Sequence, residues 1–174
     1  MPDRDAITGK LQKELNDLIA YYETLSDEDL RRECTESEAP SGAAWAAKDH
    51  VAHLAMIERA FLGMISRGRA GDANPVGFSG RDREDVMAQV HRGNQENVDA
   101  HREDDLRTLL ADLNSARQDT LALLEQLTDE ELERPLKGAP WADGTIGGVL
   151  ITNAYHQRQH VEWVRHGLAA GDER

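Results

Sequence analysis

Between Leu106 and Leu127 the apolar positions are Leu106, Leu109, Leu110, Leu113, Ala116, Leu121, Leu124 and Leu127, recurring with a three- to four-residue period. That period belongs to an α-helix with one apolar stripe; a strand would alternate with period two. A stripe this long has to be buried against other helices, which commits the chain to a helix-on-helix architecture. Asp104 or Asp105 stands ready near its start as a capping residue.

The same period recurs elsewhere. Ile7, Leu11, Leu15, Leu18, Ile19, Tyr22 and Leu25 predict a first helix from about Ala6 to Leu25. Val51, Leu54, Phe61, Leu62 and Ile65 predict a second from about Ala43 to Arg67, with His50, His53, Ile57, Ala60 and Met64 along an adjoining edge. A last helix is expected from near Thr145 to near Gly167, presenting Val149, Thr152, Asn153, His156, His160, Trp163 and Val164 inward, with a frayed tail after it. Between the second and fourth long helices, Gly68 to Gly80 reads as a long connection able to line a site, followed by a more polar helix from about Arg81 to Ala100 on the flank. The expected fold is all-α: a four-helix bundle with a long connection and an extra flanking helix, forming a single domain over residues 1–174. LTDEELER, starting at Leu127, echoes LSDEDLRR, starting at Leu25, and in each copy a tryptophan (Trp45, Trp141) follows ahead of a long helix. The echo points to a duplicated unit of helix, short capped turn and loop.

Charge and composition narrow the function. Twenty Lys and Arg against thirty-three Asp and Glu give a formal charge of −13, and no basic run interrupts it, which argues against nucleic acid and anionic membranes as partners. No apolar run approaches the roughly 18 to 20 residues of a membrane span, and no hydrophobic leader is present, so a cytoplasmic location is expected. Cys34 has no partner cysteine, and its acidic neighbours Glu33 and Glu36 are expected to raise its pKa and keep it unreactive.

The chemistry lies in AYHQRQHVEW, Ala154 to Trp163. His156 and His160 are four residues apart, so on a helix both imidazoles share one face and can reach one ion. His53, on the core edge of the second helix, is the best third ligand; alone it reads more readily as a structural histidine satisfied by a carbonyl or carboxylate, and only beside His156 and His160 does the balance reverse. His91 and His101 belong to the polar region of the flanking helix and are expected to be solvated, and His50 and His166 have no assigned place. Asn153, one turn before His156, is a candidate contact for substrate or water, whereas Asp49 is expected to cap its helix. Trp45 and Trp141 are expected to anchor loops. Gln157 stands where a zinc peptidase of the HExxH type carries its glutamate, which excludes that chemistry.

Trp45-x-x-x-Asp49-His50-Val51-Ala52-His53-Leu54 resembles the second-helix signature of the DinB-like superfamily, and His156-x-x-x-His160 resembles its second metal motif. The resemblance runs in order along nearly the whole chain. It implies a bundle that often dimerises and holds a divalent metal (Zn, Ni, Fe, Co or Mn) on His53, His156 and His160. It further implies a small-molecule substrate and a low-molecular-weight thiol cosubstrate, as in bacillithiol- or mycothiol-dependent S-transferases and mycothiol-dependent maleylpyruvate isomerases. Two alternatives accompany it: a non-enzymatic bundle binding metal or a small ligand in a stress response, and a metal-free hydrolase.

Overall fold

Four of the five long helices begin where a side-chain oxygen can take up their free amide groups. In the computed structural model, which describes residues 3–37, 39, 42–136 and 144–172, Asp3 accepts from Ala6 N–H at 2.8 Å to open α1 (Arg4–Tyr22). Asp82 and Asp105 do the same for α4 (Arg83–Ala100) and α5 (Leu106–Gln126), and Thr145 Oγ1 accepts from Gly148 N–H for α7 (Ile146–Asp172). The fifth, α3 (Asp49–Arg69), has no side-chain cap at Lys48; instead the Asp49 carboxylate reaches back to Ala46 N–H at 2.8 Å.

Helices α1, α7, α3 and α5 form a ring of packed neighbours, and α4 lies outside it against α3. The fold is therefore the expected four-helix bundle with a flanking helix. Its apolar core falls into two clusters. Ile7, Leu11, Ile65, Leu124, Ile146 and Leu150 fill one end, and Leu18, Tyr22, Val51, Leu113, Val164 and Leu168 the other. Each such side chain contributes about 1.5–3 kcal/mol by leaving water.

Between the clusters in sequence, on each helix, sits a polar residue or backbone group, and these meet. Arg117, wholly buried, donates from Nε and Nη2 to the two Glu58 carboxylate oxygens at 2.9 and 2.8 Å. It also donates to Gln157 Oε1 at 2.6 Å and to the Leu11 carbonyl. Asn153 Nδ2 donates to Glu58 Oε2 at 2.7 Å, and Gln157 Nε2 to the Glu14 carbonyl at 3.0 Å. All four bundle helices are tied at one level, with every heavy partner hydrogen-bonded, as a buried ion pair requires.

The two short capped turns are present: α2 (Asp27–Arg31) carries a capping box of Ser26 and Asp29, and α6 (Asp129–Leu132) one of Thr128 and Glu131. Each turn is followed by an extended pairing that leads into a long helix. After α2, β1 (Glu33–Thr35) pairs antiparallel with β2 (Trp45–Ala46); after α6, Pro135 bridges to Thr145. The repeat in the sequence is thus a repeat in structure, although Trp141 lies outside the described residues.

Several expected boundaries differ, each for a local reason. The second long helix begins at Asp49, not near Ala43, because Trp45 and Ala46 are taken into the β1–β2 pair and Ala47 and Lys48 form a turn, where Tyr22 Oη donates to the Ala47 carbonyl at 2.7 Å. The last helix does not stop near Gly167 but runs to Asp172, with Leu168 buried in the core. Gly167 is no terminator: a Cβ there would lie 2.0 Å from the Cys34 carbonyl oxygen, so glycine is what lets β1 lie against α7. No helix among the described residues is long and apolar enough to cross a membrane.

Candidate metal centre

His53 on α3 and His156 and His160 on α7 come together where these helices meet under α4. One ring nitrogen from each lies within 4.8 Å of the others. His156 Nε2 and His160 Nε2 are 3.0 Å apart, near enough for both to sit about 2.1 Å from one ion after a small adjustment of the rings. His53 and His160 are 3% exposed, and the Nδ1 atoms of His53 and His156 are buried with no hydrogen-bond partner. A cation at the point where the three rings converge would engage one nitrogen lone pair from each, and no carboxylate or carbonyl competes for His53 Nδ1 or His156 Nδ1, so the residues fit a metal. Burial pushes His50 and His156 down to about 4 and holds His53 and His160 well below the ordinary imidazole range, with neighbouring imidazoles adding to the effect on His53, His160 and His50. The rings are thereby neutral at physiological pH, the form that binds a metal.

His50, which has no place in the sequence reading, has a definite one here. Its Nδ1 is 2.8 Å from His160 Nδ1 and its Nε2 is 2.9 Å from Thr35 Oγ1. If His160 turns its Nε2 lone pair toward the shared point, its proton resides on Nδ1 and is donated to His50, which in turn donates from Nε2 to the Thr35 hydroxyl. The contact fixes both tautomer and ring angle. No spacing rule announces it, because Thr35 is brought in by the β1–β2 pair.

Trp45 forms a wall of the centre, with its ring centroid 5.1 Å from that of His53 and 5.3 Å from that of His50. Its Nε1 donates to Gln95 Oε1 on α4 at 3.0 Å. It therefore anchors a loop and packs on the histidines at once. Asp49, expected to cap its helix, does not: it is the first residue of α3, and its carboxylate accepts from Ala46 N–H in β2, outside the helix. Asn153 is placed elsewhere than the histidines: it is 2% exposed and its amide is held by Glu58 in the polar network. Helix α7 alternates functions, His156 and His160 facing the centre and Asn153 and Gln157 the core.

The centre opens into a cavity of about 880 Å³ between α3, α4 and α7. The adjoining edge of α3 read from the sequence (His50, His53, Ile57, Ala60 and Met64) lines it, and Phe78 from the long connection closes one side. His91 is not simply solvated: it is half-buried and lines the cavity, because α4 lies across α3 with Met87, Val90 and Asn94 facing inward. His101 is half-buried and bonded to Asp104 at 2.8 Å, and His166 is exposed. Cys34, next to Thr35 in β1, does not line the cavity. Burial, more than the charge of Asp49, pushes its thiol up to about 12; the flanking glutamates are not what raises it.

The DinB superfamily model matches residues 11–164, which span all four bundle helices and the three histidines. The chain belongs to the DinB superfamily. No curated protein matches it. Its fold is similar to that of an uncharacterised protein from Escherichia coli UTI89, known from a crystal structure, with a TM-score of 0.74 and 16% identity over 99% of this chain and 96% of that one. At that identity the likeness speaks for the fold alone. As a DinB member the chain carries three histidines that can hold a metal ion.

Proposed function

We propose that this DinB protein is a metal-dependent enzyme that uses a low-molecular-weight thiol, of the S-transferase or thiol-dependent isomerase type, with His53, His156 and His160 as the ligands. One observation carries the reading: three neutral imidazoles, two buried and one half-buried, with converging nitrogens form the floor of a cavity large enough for a small organic molecule. Three protein ligands leave a coordination position free, the arrangement of catalytic and not structural sites. A divalent ion held there supplies Lewis-acid chemistry, favouring the thiolate of a bound thiol near neutral pH.

The chain's own residues supply the rest. His50 and Thr35 orient His160. Trp45 and the apolar cavity wall exclude water from the reacting end, which strengthens electrostatic interactions there. The polar network of Glu58, Arg117, Asn153 and Gln157 fixes α7 against the other helices, so that His156 and His160 keep their register with His53. We take the enzyme to be cytoplasmic and homodimeric, acting on reactive small molecules under stress.

The test is metal content, measured on untagged protein, for the native chain and His53→Ala, His156→Ala and His160→Ala, together with a metal-dependent thiol-conjugation assay. About one divalent ion per chain, lost in each variant along with turnover, supports the proposal. A chain that takes up neither Zn nor Ni overturns it. Metal binding without turnover across thiols and electrophiles would leave a binding bundle in its place.

A further inference from the structure

The cavity wall away from the metal-site histidines is mostly apolar, with Asn94, Thr152, Gln159, Tyr155 and His91 among its polar members. Met56, Ile57 and Met64 on α3, Met87 and Val90 on α4 and Phe78 from the connection enclose it. Three of the chain's four methionines are among them. Thioether side chains are flexible and polarisable, so such a wall adapts to the shape of what it holds while staying apolar. The charged side chain among the described lining residues is Glu36, which would repel an anion. A carboxylate seated on this surface would lose its hydration without a counter-charge from the wall, a large penalty.

We infer that the organic ligand of this cavity is an uncharged molecule with an extended hydrocarbon or aromatic body lying along α3 and α4, its polar end toward the histidines. Taken as the electrophile, which rests on the function proposed above, it is a neutral lipophilic compound and not a small dicarboxylate. That favours thiol transfer to apolar electrophiles over isomerisation of a dicarboxylic acid. The adaptable wall implies wide tolerance of shape with narrow tolerance of charge.

The inference is tested on the full chain after treatment with a chelator, so that binding to a metal does not enter. Butan-1-ol, hexan-1-ol and octan-1-ol, and octanoate at pH 7.5, are titrated by competition with a fluorescent apolar probe. Affinity is expected to rise about fourfold per added methylene, the factor that follows from burying one CH₂, and octanoate to bind at least tenfold more weakly than octan-1-ol. Met87→Lys, which sets a cation on the wall from the flanking helix, is expected to invert that order; Val90→Lys makes the same test where the first variant does not fold. Affinity independent of chain length, octanoate binding as tightly as octan-1-ol to the native chain, or an unchanged order in a folded lysine variant would each overturn the inference. Metal content of the untreated protein separates this from the enzymatic proposal. A metal-free chain that binds octan-1-ol in the expected way refutes the enzyme and keeps the ligand class, and a metal-bearing chain that fails to discriminate does the reverse.

Discussion

Lowering the pH should unfold the metal-free protein through its buried histidines. An imidazole titrates near 6.5 in an unfolded chain, whereas His50 and His156 are held at about 4 by burial in the folded one. Because the folded pKa is the lower, the unfolded state binds more protons between pH 6.5 and 4, and the associated stability, fully present above that window, is lost as pH falls through it. The loss works out at about 1 kcal/mol for each of the two at pH 6 and about 2 kcal/mol for each at pH 5. His53 and His160, also lowered by burial, act in the same direction. Against a typical total of about 5–15 kcal/mol, the pair alone is a large fraction. The carboxylates held low by hydrogen bonds, such as Asp105 and Asp112, begin to matter only at more acid pH. Urea unfolding of chelator-treated protein at pH 7.5, 6 and 5 measures this directly. The stability lost between pH 7.5 and 5 should be at least 4 kcal/mol, and His50→Phe should reduce the steepness by about one proton. A change of less than 1 kcal/mol, or an unchanged slope in that variant, would refute the reasoning.

Other perturbations follow from the same geometry. His50→Phe removes the acceptor of the His160 Nδ1 proton, and titration with a competing chelator should show metal affinity lowered about 10–100-fold, with Thr35→Val moving it less in the same direction. Arg117→Met strands the Glu58 carboxylate with Asn153 as its remaining hydrogen-bond donor and should destabilise by about 3–5 kcal/mol, seen in urea as a lower midpoint at unchanged slope; a loss below 1 kcal/mol would count against the network. Gly167→Ala, favourable by helix propensity, should instead cost about 1–3 kcal/mol, as overpacking does, because the new Cβ meets the backbone of Cys34. The Cys34 thiol, pushed up to about 12, should react with iodoacetamide at pH 8 orders of magnitude more slowly than the same thiol in urea.

What the sequence discloses here depends on how far apart the interacting residues lie. The apolar periods of Leu106–Leu127 and Ile7–Tyr22 are local and carried straight into α5 and α1. The His156 and His160 pair is equally local, and His53 lies on a legible edge of α3, so the meeting of these three needed only the bundle to be right. His50 and Thr35 are a different case: their contact is made by a short strand pair whose members, Glu33–Thr35 and Trp45–Ala46, are too brief to show a period-two signal. Gly167 reads as a helix stop until Cys34 is known to press on it.

Asn153 shows the same limit from the other side. Three residues before His156, it lies on a face that the sequence permits to be either cavity or core, since inward on a bundle helix covers both. What decides between them is Arg117, a lone charge within an otherwise apolar stripe on α5, which requires a carboxylate and further acceptors around it. Glu58, Gln157 and the Leu11 carbonyl answer that requirement, and Asn153, donating to the Glu58 carboxylate, is drawn toward the core. Gln157 in turn cannot serve beside the histidines as the glutamate of a zinc peptidase would, because its side chain is spanning from Arg117 to the Glu14 carbonyl. One buried arginine therefore sets which face of α7 is scaffold and which is left to His156 and His160 for chemistry.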